Sequence, residues 1–469
     1  MDTTQNRSSA AARLDRLPIG LFHKRMTWAL GYVFFFELGD IYTFAYAAPA
    51  LMKSWHLNIS TISFITSATF IGMFVGATAG GWFSDIAGRK RALMLSALWY
   101  SGFSLLNAVV TGPTGLFIAR LMTGVGLSGM TVIGITYISE MYPASKRGKF
   151  QGYIMTVGLI GVPVNAFVAR MVIPMADWGW RLVFVWGSLG ILFPLFARWL
   201  EESPKWYENQ GRFDEADAVL DRIEAQLVRE VGALPDVPPA PVKQAPPRKG
   251  RPRELFSPAN RPTTLMLSVT WIAQTLGFHG FTAWVPTLLV ARGFELVRSL
   301  AWSSAMSIGT IPGALVAAFI ADRFERKRSI PVIALMVATC GLFYGRATAP
   351  WAIVTFGFLV EASLRMFASV LYAYTPECFP AEVRNSGAGL VYGIGRLANI
   401  VGPLIVAYLF SRYGITSVFL YIAGAWIVVA LAVGLFGPAT GEHRRNVAAV
   451  DVRRPAAAAA GQPAIGSPR

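Results

Sequence analysis

One block of residues occurs twice in this chain, and every position of the second copy lies 237 residues after its counterpart. The two copies read Tyr137, Glu140, Pro143, Ala144, Arg147 and Tyr374, Glu377, Pro380, Ala381, Arg384. The same offset relates Asp85, Arg89 and Lys90 to Asp322, Arg326 and Lys327, and Pro49 to Pro286. Each site lies beside an apolar segment, so the repeat predicts two copies of one membrane unit arranged in parallel. Parallel halves that enclose a site between them are typical of transporters.

Apolar runs separated by short basic loops dominate the chain. Hydrophobic residues make up 54% of the 469 residues, and charged residues only 14%. Because about 20 apolar residues span a bilayer, this pattern predicts an all-α integral membrane protein with six transmembrane helices in each half. The twelve predicted spans are 26–52, 60–83, 91–112, 114–140, 150–172, 181–199, 262–290, 298–321, 329–346, 350–376, 386–411 and 416–437.

The basic residues indicate how these helices are oriented. The net charge is +16, which in a soluble protein would suggest nucleic acid as a partner. Here most Lys and Arg residues fall in loops on one side of the predicted bundle, as the positive-inside rule requires of the cytoplasmic side. We therefore expect cytoplasmic termini, a multi-pass protein of the inner or plasma membrane, and no nucleic-acid partner.

The spans divide the chain into five predicted segments. They are a cytoplasmic tail (1–25), a first six-helix bundle (26–199), a cytoplasmic inter-bundle loop (200–261), a second six-helix bundle (262–437) and a C-terminal tail (438–469). In the loop, the amphipathic stretch 211–231 predicts short surface helices, and the proline-rich remainder predicts a disordered linker. The C-terminal tail, rich in Ala, Pro and Arg, is also predicted to be disordered.

The sequence gives no indication of catalysis. Cys340 and Cys378 are assigned to opposite membrane faces, so no disulfide is expected. The chain has no metal-ligand spacing and no recognisable pairing of a nucleophile with a base. We expect no enzymatic activity, and no cofactor other than a proton as coupling ion.

The loop after the second predicted span resembles that of a known family. The major facilitator superfamily has the signature G-x-x-x-D-x-x-G-R-[RK] between helices 2 and 3, and the similar run here is Gly81-Trp82-Phe83-Ser84-Asp85-Ile86-Ala87-Gly88-Arg89-Lys90. Glycine permits close helix contact, and the carboxylate lies near basic groups. The resemblance implies a conformational latch; the alternative is a basic loop that only sets topology. Ala318 and Glu325 replace the glycines in the second copy, which predicts a weaker second latch.

Further motifs resemble branches of the same superfamily. A helix 4 motif of these carriers is matched by Arg120, Gly124 and Gly126. The block after helix 6 of sugar porters is similar to Glu202-Ser203-Pro204-Lys205-Trp206 with Gly211-Arg212. Helix 11 of aromatic-acid and nicotinate-type proton symporters is similar to Gly393-Ile394-Gly395-Arg396-Leu397-Ala398-Asn399. The helix 5 run from Gly158 to Asn165 lacks the antiporter signature, which weakens an exporter interpretation.

Several ionisable residues are predicted at membrane depth, where charge is costly and usually functional. They are Glu37, Asp40, Arg120, His279, Glu361, Arg365 and Arg396. The resemblance implies that Asp40 of helix 1 and Arg120 of helix 4 form a proton-coupling pair; the alternative is a static structural pair. Glu37 lies one helical turn from Asp40, and it either tunes Asp40, binds substrate or caps a polar patch.

The second half supplies most of the predicted substrate contacts. Glu361 and Arg365, spaced i, i+4, either neutralise each other or face the substrate. Arg396 has no acid nearby on its helix, and its guanidinium either binds a substrate carboxylate or pairs with Glu361. His279 is either a hydrogen-bonding or titrating group or a structural residue. The other predicted cavity residues are the polar Gln274 and Asn399 and the aromatic Tyr42, Phe44, Trp271 and Trp284.

Charged residues at the predicted cytoplasmic helix ends make up a predicted gate. We expect a salt-bridge network that forms in the outward-open state and breaks in the inward-open state; alternatively, these residues only orient loops. The predicted gate residues are Gly81, Asp85, Gly88, Arg89, Lys90, Glu140, Arg147, Glu202, Asp322, Arg326, Glu377 and Arg384.

Together these features predict a secondary active transporter that takes up a small organic anion, an aromatic or other carboxylate, with a proton by alternating access. The alternative is a proton-coupled sugar or polyol symporter, which the block at Glu202 favours. A drug or metabolite exporter and a sensor with a transporter fold are less favoured. The expected partners are a small-molecule substrate and the lipid bilayer, and the resemblance implies a functional monomer.

Overall fold

The described part of the chain is helical. The computed structural model describes residues 9–237 and 251–440, without the side chains at positions 318, 321 and 322. Residues 238–250 of the predicted disordered linker and residues 441–469 of the predicted C-terminal tail lie outside the described residues. The disorder prediction is wrong for the end of the linker, where Pro252–Phe256 forms a 3-10 helix and Thr264 of the next helix donates to the Leu255 carbonyl. The helices are α1 (Ala10–Asp15), α2 (Leu21–Trp55), α3 (Ile59–Ala87), α4 (Arg89–Val109), α5 (Pro113–Met141), α6 (Ala144–Val172), α7 (Trp180–Gly187), α8 (Phe193–Ala197), α9 (Pro204–Asn209), α10 (Phe213–Val231), α11 (Arg261–Thr282), α12 (Val285–Ala291), α13 (Leu296–Ser307), α14 (Thr310–Arg323), α15 (Arg326–Arg346), α16 (Pro350–Glu377), α17 (Arg384–Tyr413) and α18 (Ile415–Phe436).

Ten helical stretches of the described residues are long and apolar enough to cross a membrane. They are α3, α4, α5, α6 with the turn after it, α7 to α8, α13 to α14, α15, α16, α17 and α18. The other two predicted spans, 26–52 and 262–290, coincide with α2 and with α11 and α12, which are helical but less apolar. Glu37 and Asp40 lie in the middle of α2, and α11 is rich in Thr and aromatic residues. The count of twelve spans therefore stays a prediction.

Three predicted single spans are interrupted in the structure. The breaks lie at Trp284 between α11 and α12, at Gly309 between α13 and α14, and in the 3-10 segment Ser188–Leu192 between α7 and α8. Each break is followed within three positions by a proline, namely Pro286, Pro312 and Pro194. Proline has no N–H to continue the helical hydrogen bonds, so these spans are bent rather than continuous.

The sequence repeat recurs in the helix packing. In the first half, α3 approaches α5 so closely that a Cβ added to Gly76 would lie 2.0 Å from the Val125 carbonyl oxygen. In the second half, 237 positions later, a Cβ added to Gly313 of α14 would lie 2.2 Å from the Ala362 carbonyl oxygen of α16. Because the neighbours are backbone atoms, any side chain would force the helices apart. Both halves therefore contain the same close contact between helices.

A tyrosine ties the chain that leaves each half back to its bundle. The Tyr137 hydroxyl donates to the Glu201 carbonyl at 2.6 Å, and the Tyr374 hydroxyl donates to the Pro438 carbonyl at 2.9 Å. Both members of the second pair lie 237 positions after those of the first. The internal repeat is thus a repeat in three dimensions.

The two halves meet along α3 and α17 and along α6 and α13. Two hydroxyls bond to backbone across this boundary. Ser67 donates to the Ile400 carbonyl at 2.8 Å, and Ser304 donates to the Ala166 carbonyl at 2.9 Å. These bonds hold the halves side by side without charge.

The two ends of the bundle differ in how closely the halves approach. At one end α2 packs against α12. We call the other end the basic face, and it holds the connections at Gly88, Tyr142, Glu325 and Phe379. There α5 and α16, both fully described, make at most marginal contact with each other. The halves are therefore joined at the end away from the basic face.

A small helical layer covers the first half at the basic face. The amphipathic stretch predicted as short surface helices is one helix, α10, and α1 docks against it. Arg13 of α1 donates to Asp221 at 2.6 Å and to Glu224 at 2.8 Å, and Asp15 accepts from the amide of Ala144 at 2.8 Å. The N-terminal segment predicted as a tail thus contains a docked helix, which is too short to show a periodic pattern in the sequence.

Candidate functional site

A cavity of about 310 Å³ lies between the two halves, at the middle of the bundle and toward the basic face. Seven of the predicted cavity residues line it, namely Tyr42, Trp271, Gln274, His279, Arg365, Arg396 and Asn399. Tyr372 lies on the basic-face side of the lining and is 55% exposed. On the other side, a smaller pocket is lined by Phe44, Arg120 and again His279. The predicted substrate residues are therefore largely brought together.

Arg365 of α16 reaches from the second half to the first. Its Nη2 donates to the Tyr42 hydroxyl at 2.8 Å, and its guanidinium carbon lies 5.3 Å from the ring centre of Phe278. Its Nε is buried without a hydrogen-bond partner. No ion pair within 4.0 Å joins Arg365 to Glu361 among the described side chains, so their predicted mutual neutralisation involves attraction without direct contact in this conformation. The guanidinium extends toward Tyr42 instead, and Glu361 is not part of the cavity lining.

Arg396 of α17 also bridges the halves. Its Nη1 donates to the Ser128 hydroxyl of α5 at 3.0 Å. Among the ion pairs of residues 9–237 and 251–440, none involves Arg396, so the alternative pairing with Glu361 is not formed. Asn399 lies three positions later on the same helix face, and its Oδ1 is buried without a hydrogen-bond partner. Both groups have unused hydrogen-bonding capacity beside the cavity.

Aromatic rings form the walls of the cavity. The Trp271 ring lies 4.9 Å from that of Tyr372 and 4.7 Å from that of Tyr392, measured between ring centres. His279 meets Phe70 of the first half edge to face at 4.8 Å. Such offset and edge contacts suit the binding of another planar ring.

The predicted pair of Asp40 and Arg120 is in contact. Arg120 Nη1 lies 3.3 Å from Asp40 Oδ2, and both side chains are almost fully buried. Ser104 donates to the other oxygen, Oδ1, at 2.6 Å, and Arg120 Nε donates to Thr69 at 3.1 Å. Both carboxylate oxygens are therefore partnered, as a buried charge requires.

Glu37 is buried one turn from Asp40 but lacks a comparable partner. Its Oε1 lies 2.5 Å from the Thr131 hydroxyl of α5, and its Oε2 has no hydrogen-bond partner. The side chain is only 1% exposed. Of the two acids of α2, only Asp40 contacts a cation within the described part of the chain.

Trp284, predicted to bind substrate, lies outside the cavity. It is 1% exposed, belongs to the hydrophobic core, and its Nε1 has no hydrogen-bond partner. It lies at the break between α11 and α12, so the helix that includes Gln274 does not continue through Trp284. The prediction for Trp284 was wrong because it assumed one continuous helix.

At the basic face of the first half, Arg89 connects two acids. Its guanidinium lies 2.6 Å from Asp85 and 3.1 Å from Glu140. Glu202 instead binds backbone, since its Oε1 accepts from the amide of Lys90 at 2.9 Å. A carboxylate there stabilises the N-terminus of α4. These predicted gate residues form one local cluster within the first half.

Gly88 is needed for this cluster to form. Its φ of +95° lies in the left-handed region that favours glycine. A Cβ added to it would lie 2.5 Å from Glu202 Oε2. Both the backbone turn and the position of the Glu202 carboxylate therefore require glycine.

Gly81, predicted to allow a tight helix contact, does not make one. The nearest atom to a Cβ added there would be Val132 Cγ1 at 4.0 Å. The close approach belongs to the preceding residue, Gly80, where a Cβ would lie 2.6 Å from the Gly129 Cα. One residue turns a helix by about 100°, which moves Gly81 off the contact face.

The second half repeats only part of the cluster. Arg326 contacts Glu377, 237 positions after Arg89 and Glu140. Arg147 and Arg384 join no ion pair that the structure describes, and the side chain of Asp322 lies outside that description. None of the described ion pairs links the two halves, so the predicted single network is two local clusters in this conformation.

Sequence reasoning missed the neutral partners of the charged groups. Ser104, Thr69 and Thr131 bond to the acids or to Arg120. Hydroxyls in apolar helices give no clear signal, because they often bond to their own helix backbone. Tyr392, by contrast, could have been found, since it lies four positions before Arg396 and therefore on the same helix face.

A comparison with family models decides what kind of protein this is. The family described as sugar (and other) transporter matches residues 25–444 of the chain. The chain belongs to the major facilitator superfamily. It is a transporter and a multi-pass membrane protein, and this family comprises transporters rather than enzymes.

Several curated relatives of this major facilitator protein are metabolite transporters by name. The putative metabolite transport protein YyaJ of Bacillus subtilis is 43% identical over 92% of this chain and 96% of the relative. The niacin transporter NiaP of Acinetobacter baylyi is 31% identical over 92% of this chain and 97% of the relative. The inner membrane metabolite transport protein YdjE of Escherichia coli is 29% identical over 91% and 95%.

Solved structures of the superfamily share the fold. The partially occluded inward open conformation of the xylose transporter XylE from E. coli matches with a TM-score of 0.71 at 17% identity, over 90% of this chain and 99% of that chain. The crystal structure of a D-xylose–proton symporter matches with a TM-score of 0.68 at 17% identity, over 89% and 98%. At this identity the likeness bears on the fold alone.

Proposed function

We propose that this transporter takes up a small organic anion, an aromatic or other carboxylate, together with a proton by alternating access. The observation that carries the proposal is the pair of guanidinium groups beside the cavity. Arg365 and Arg396 donate there only to neutral hydroxyls among their described hydrogen bonds. A guanidinium at membrane depth with no carboxylate in hydrogen-bonding contact is costly, and a substrate carboxylate supplies that contact through charge-assisted hydrogen bonds.

The dimensions and walls of the cavity favour a small planar ligand. Its volume of about 310 Å³ is at the lower end of typical small-molecule sites. Trp271, Tyr372 and Tyr392 supply ring faces and edges, and Asn399 supplies an amide. This composition suits a ring that carries one carboxylate.

One relative's name points in the same direction. The Acinetobacter relative is named as a niacin transporter, and niacin is a pyridine ring with one carboxylate. We infer that this chain also accepts a compact aromatic acid. Its identity to that relative, 31% over most of both chains, leaves the particular acid to experiment.

For coupling, we propose that the acids of α2 bind the proton. Asp40 and Arg120 form a buried ion pair next to the smaller pocket, and Glu37 lies one turn away. Movement of α2 relative to α5 would change the separation of these charges. A proton and a change of conformation would thereby be linked.

The arrangement of the halves supports an inward-facing conformation if the basic face is cytoplasmic, as the distribution of Lys and Arg predicts. The cavity lies toward the basic face, while α2 packs on α12 at the opposite end. In the outward-facing state we propose that Arg89, Arg326 and their acids approach the other half. A functional monomer is proposed from the resemblance alone.

A sugar or polyol is the second candidate substrate. Gln274 and Asn399 line the cavity and could bind hydroxyls. The Gln274 Nε2 is already bonded to Thr275 at 2.7 Å, however, and a neutral sugar would leave both arginines without a carboxylate in hydrogen-bonding contact. The carboxylate is therefore the better-supported substrate.

Thermal stabilisation of the purified protein by ligands tests the proposal. Aromatic acids, aliphatic acids and sugars are compared at matched concentrations, and a ligand at 100 times its dissociation constant should add about 2.7 kcal/mol of stability. We expect stabilisation by benzoate or nicotinate that is lost in Arg396→Ala. The matched control is Arg222→Ala, an exposed surface arginine, which should respond like the wild type. Stabilisation by sugars alone would overturn the organic-anion assignment.

A further inference from the structure

We propose that Glu37 carries the coupling proton in this conformation, and that loss of this proton recruits Arg396 away from the substrate. The link to substrate binding rests on the proposed function, whereas the position of the proton on Glu37 does not. It assigns the proton to one of the two acids of α2 and gives the other a structural charge.

The surroundings of Glu37 do not balance a negative charge. Its side chain is 1% exposed, and no Lys, Arg or His within 4.0 Å pairs with it among the described residues. One oxygen faces a hydroxyl and the other has no partner. An ionised carboxylate in such a place would carry an uncompensated buried charge, whereas a protonated one is neutral.

The Thr131 hydroxyl supplies a second, independent argument. Its oxygen lies 2.5 Å from Glu37 Oε1 and also 3.0 Å from the Leu127 carbonyl oxygen one turn earlier. A hydroxyl has one proton to donate, and a carbonyl can only accept. If Thr131 donates to Leu127, the contact with Glu37 is a hydrogen bond only when the carboxyl is the donor. A protonated Glu37 therefore accounts for both contacts of the Thr131 hydroxyl.

Asp40 is in the opposite situation. Ser104 donates to its Oδ1 at 2.6 Å and Arg120 to its Oδ2 at 3.3 Å. Every oxygen of this carboxylate has a donor, and its charge is balanced by a guanidinium that is equally buried. Asp40 is therefore the ionised member, and its negative charge repels a second one at Glu37.

The charged and titratable groups around Glu37 come from four helices. Asp40 and Tyr42 lie on its own helix, Arg120 on α5, Tyr100 on α4 and Arg396 on α17. Arg120 is bound to Asp40, and the two tyrosines carry no charge when protonated. Arg396 is the cation that the second half brings toward Glu37.

The position of Arg396 links the proton to the substrate. Its guanidinium donates to Ser128, which lies three positions before Thr131 on α5 and so about one turn from the partner of Glu37. With Glu37 protonated, Arg396 is free to hold a substrate carboxylate. When the proton leaves Glu37 for water in the cavity, the resulting carboxylate attracts Arg396 and weakens its hold on the anion. Proton and anion then bind together, and each raises the affinity of the other.

Infrared spectroscopy of the purified full-length protein tests the position of the proton without any ligand. A protonated carboxyl has a C=O band that a carboxylate lacks. We expect a component of this band in the wild type at neutral pH that is lost in Glu37→Gln but persists in Asp40→Asn. The same component should persist in Glu361→Gln, which removes the other acid at membrane depth that joins no ion pair among the described residues. Persistence of the full band in Glu37→Gln, or its absence from the wild type, would overturn the proposal. Glu37→Gln keeps the size of the side chain and its contact with Thr131, so this variant is expected to fold.

Binding measurements then test the link to the substrate. With benzoate as the probe, we expect the wild-type dissociation constant to rise by about tenfold or more from acid to alkaline pH, within the usual range of coupling between sites. Glu37→Gln should bind at all pH values as the wild type does in acid. A wild-type pH dependence that survives in Glu37→Gln would contradict the proposed link. If no carboxylate binds to either protein, the proposed function fails, and the infrared result alone decides where the proton is.

Discussion

Asp40 and Arg120 form a buried ion pair that the repeat does not copy. The positions 237 residues later are Gly277 and Gly357, and both are glycines. The first half therefore has a pair of charges in a place where the second half has no side chains at all. This asymmetry is informative, because three other contacts, at Gly76, Tyr137 and Arg89, do recur in the second half.

Removal of Arg120 should be costly. In Arg120→Ala, Asp40 would remain buried without its cation, and breaking a buried pair in this way typically costs about 3–5 kcal/mol. We expect a large fall in the thermal unfolding temperature of the purified protein. In the control Arg222→Ala, which breaks an exposed pair with Glu201, the loss should be about 1 kcal/mol or less. Equal losses in the two variants would mean that the buried pair contributes no more than a surface pair.

The sequence allowed some of these side-chain contacts to be predicted and not others. Asp40 and Arg120 were paired through a family resemblance that places their two helices together. Glu361 and Arg365 were paired from spacing alone, and spacing does not determine the rotamer that turns Arg365 toward Tyr42. The unpartnered oxygen of Glu37 could not be foreseen, because it depends on what α5 places opposite it.

At the scale of secondary structure, α3 and α5 approach closely because glycines of α3 lie directly against the backbone of α5. Gly76 lies against the Val125 carbonyl, and Gly313 repeats this against Ala362. The spacing of such glycines fixes the distance between the helix axes. The helices that flank the central cavity are positioned by these contacts.

A methyl group at this contact should separate the helices. In Gly76→Ala the added Cβ would lie 2.0 Å from a backbone oxygen that cannot move aside alone, so we expect a loss of stability of about 1–3 kcal/mol, as for other overpacked sites. Gly102→Ala in α4 is the matched control, since nothing lies within 4 Å of its added Cβ. That change should leave stability unchanged or raise it by up to about 1 kcal/mol, through helix propensity. Thermal unfolding of both variants measures the difference, and a milder effect for Gly76→Ala than for Gly102→Ala would refute the close contact.

The docking of α1 on α10 should depend on pH. Burial alone raises the pKa of Glu224, but hydrogen bonds from Arg13 and Arg16 outweigh burial and leave its pKa below the ordinary value of 4.5. Because the folded-state pKa is the lower one, the contribution to stability is present above pH 4.5 and is lost as the pH falls through the folded-state pKa. We expect the amides of Ala10–Asp15 to lose protection from hydrogen exchange in acid, while those in the middle of α10 keep it. Protection of α1 that is unchanged in acid would show that the charges do not hold this helix.

Prediction was most successful for the long helices and least so for their interruptions. Apolar length indicates a span well, and ten of the predicted spans coincide with apolar helices of sufficient length. Proline alone does not indicate the breaks before Pro194, Pro286 and Pro312, since Pro49, Pro163 and Pro403 lie inside unbroken helices. The docked α1 could not be inferred either, since six residues are too few to show a helical period and its stability comes from tertiary contacts.

At the scale of the whole molecule, the two halves are joined by a small number of polar contacts around the cavity. Tyr42 and Ser128 of the first half accept from Arg365 and Arg396 of the second. A substrate anion that binds these arginines would compete with the same contacts. Substrate binding and the relative position of the halves are thereby connected.

Tyr42→Phe should shift the balance between conformations. The variant lacks the hydroxyl that accepts from Arg365. A hydrogen bond to a charged group contributes about 1.5–3 kcal/mol. We therefore expect the population of the present conformation to fall by about tenfold relative to other conformations. Spin labels on cysteines introduced at Ser145 and Asn385, which are exposed at the basic face of the first and second half, report the distance between the halves. The fraction of short distances should rise. Tyr32→Phe removes a hydroxyl that bonds within the first half, to Leu189, and should leave the distances unchanged; a shift of the same size in both variants would contradict the prediction.

The offset of 237 residues separates the contacts that the two halves share from the side chains in which they differ. The contacts it preserves, between Gly76 and Val125, between Arg89 and Glu140, and at Tyr137, are those of a common frame. The interior side chains differ between the halves: Glu37 and Asp40 lie in the first half, whereas Arg365 and Arg396 lie in the second. The shared contacts set the shape of each half, and the differing interior side chains set its chemistry. An interior side chain of one half can then be exchanged without altering the contacts that both halves share.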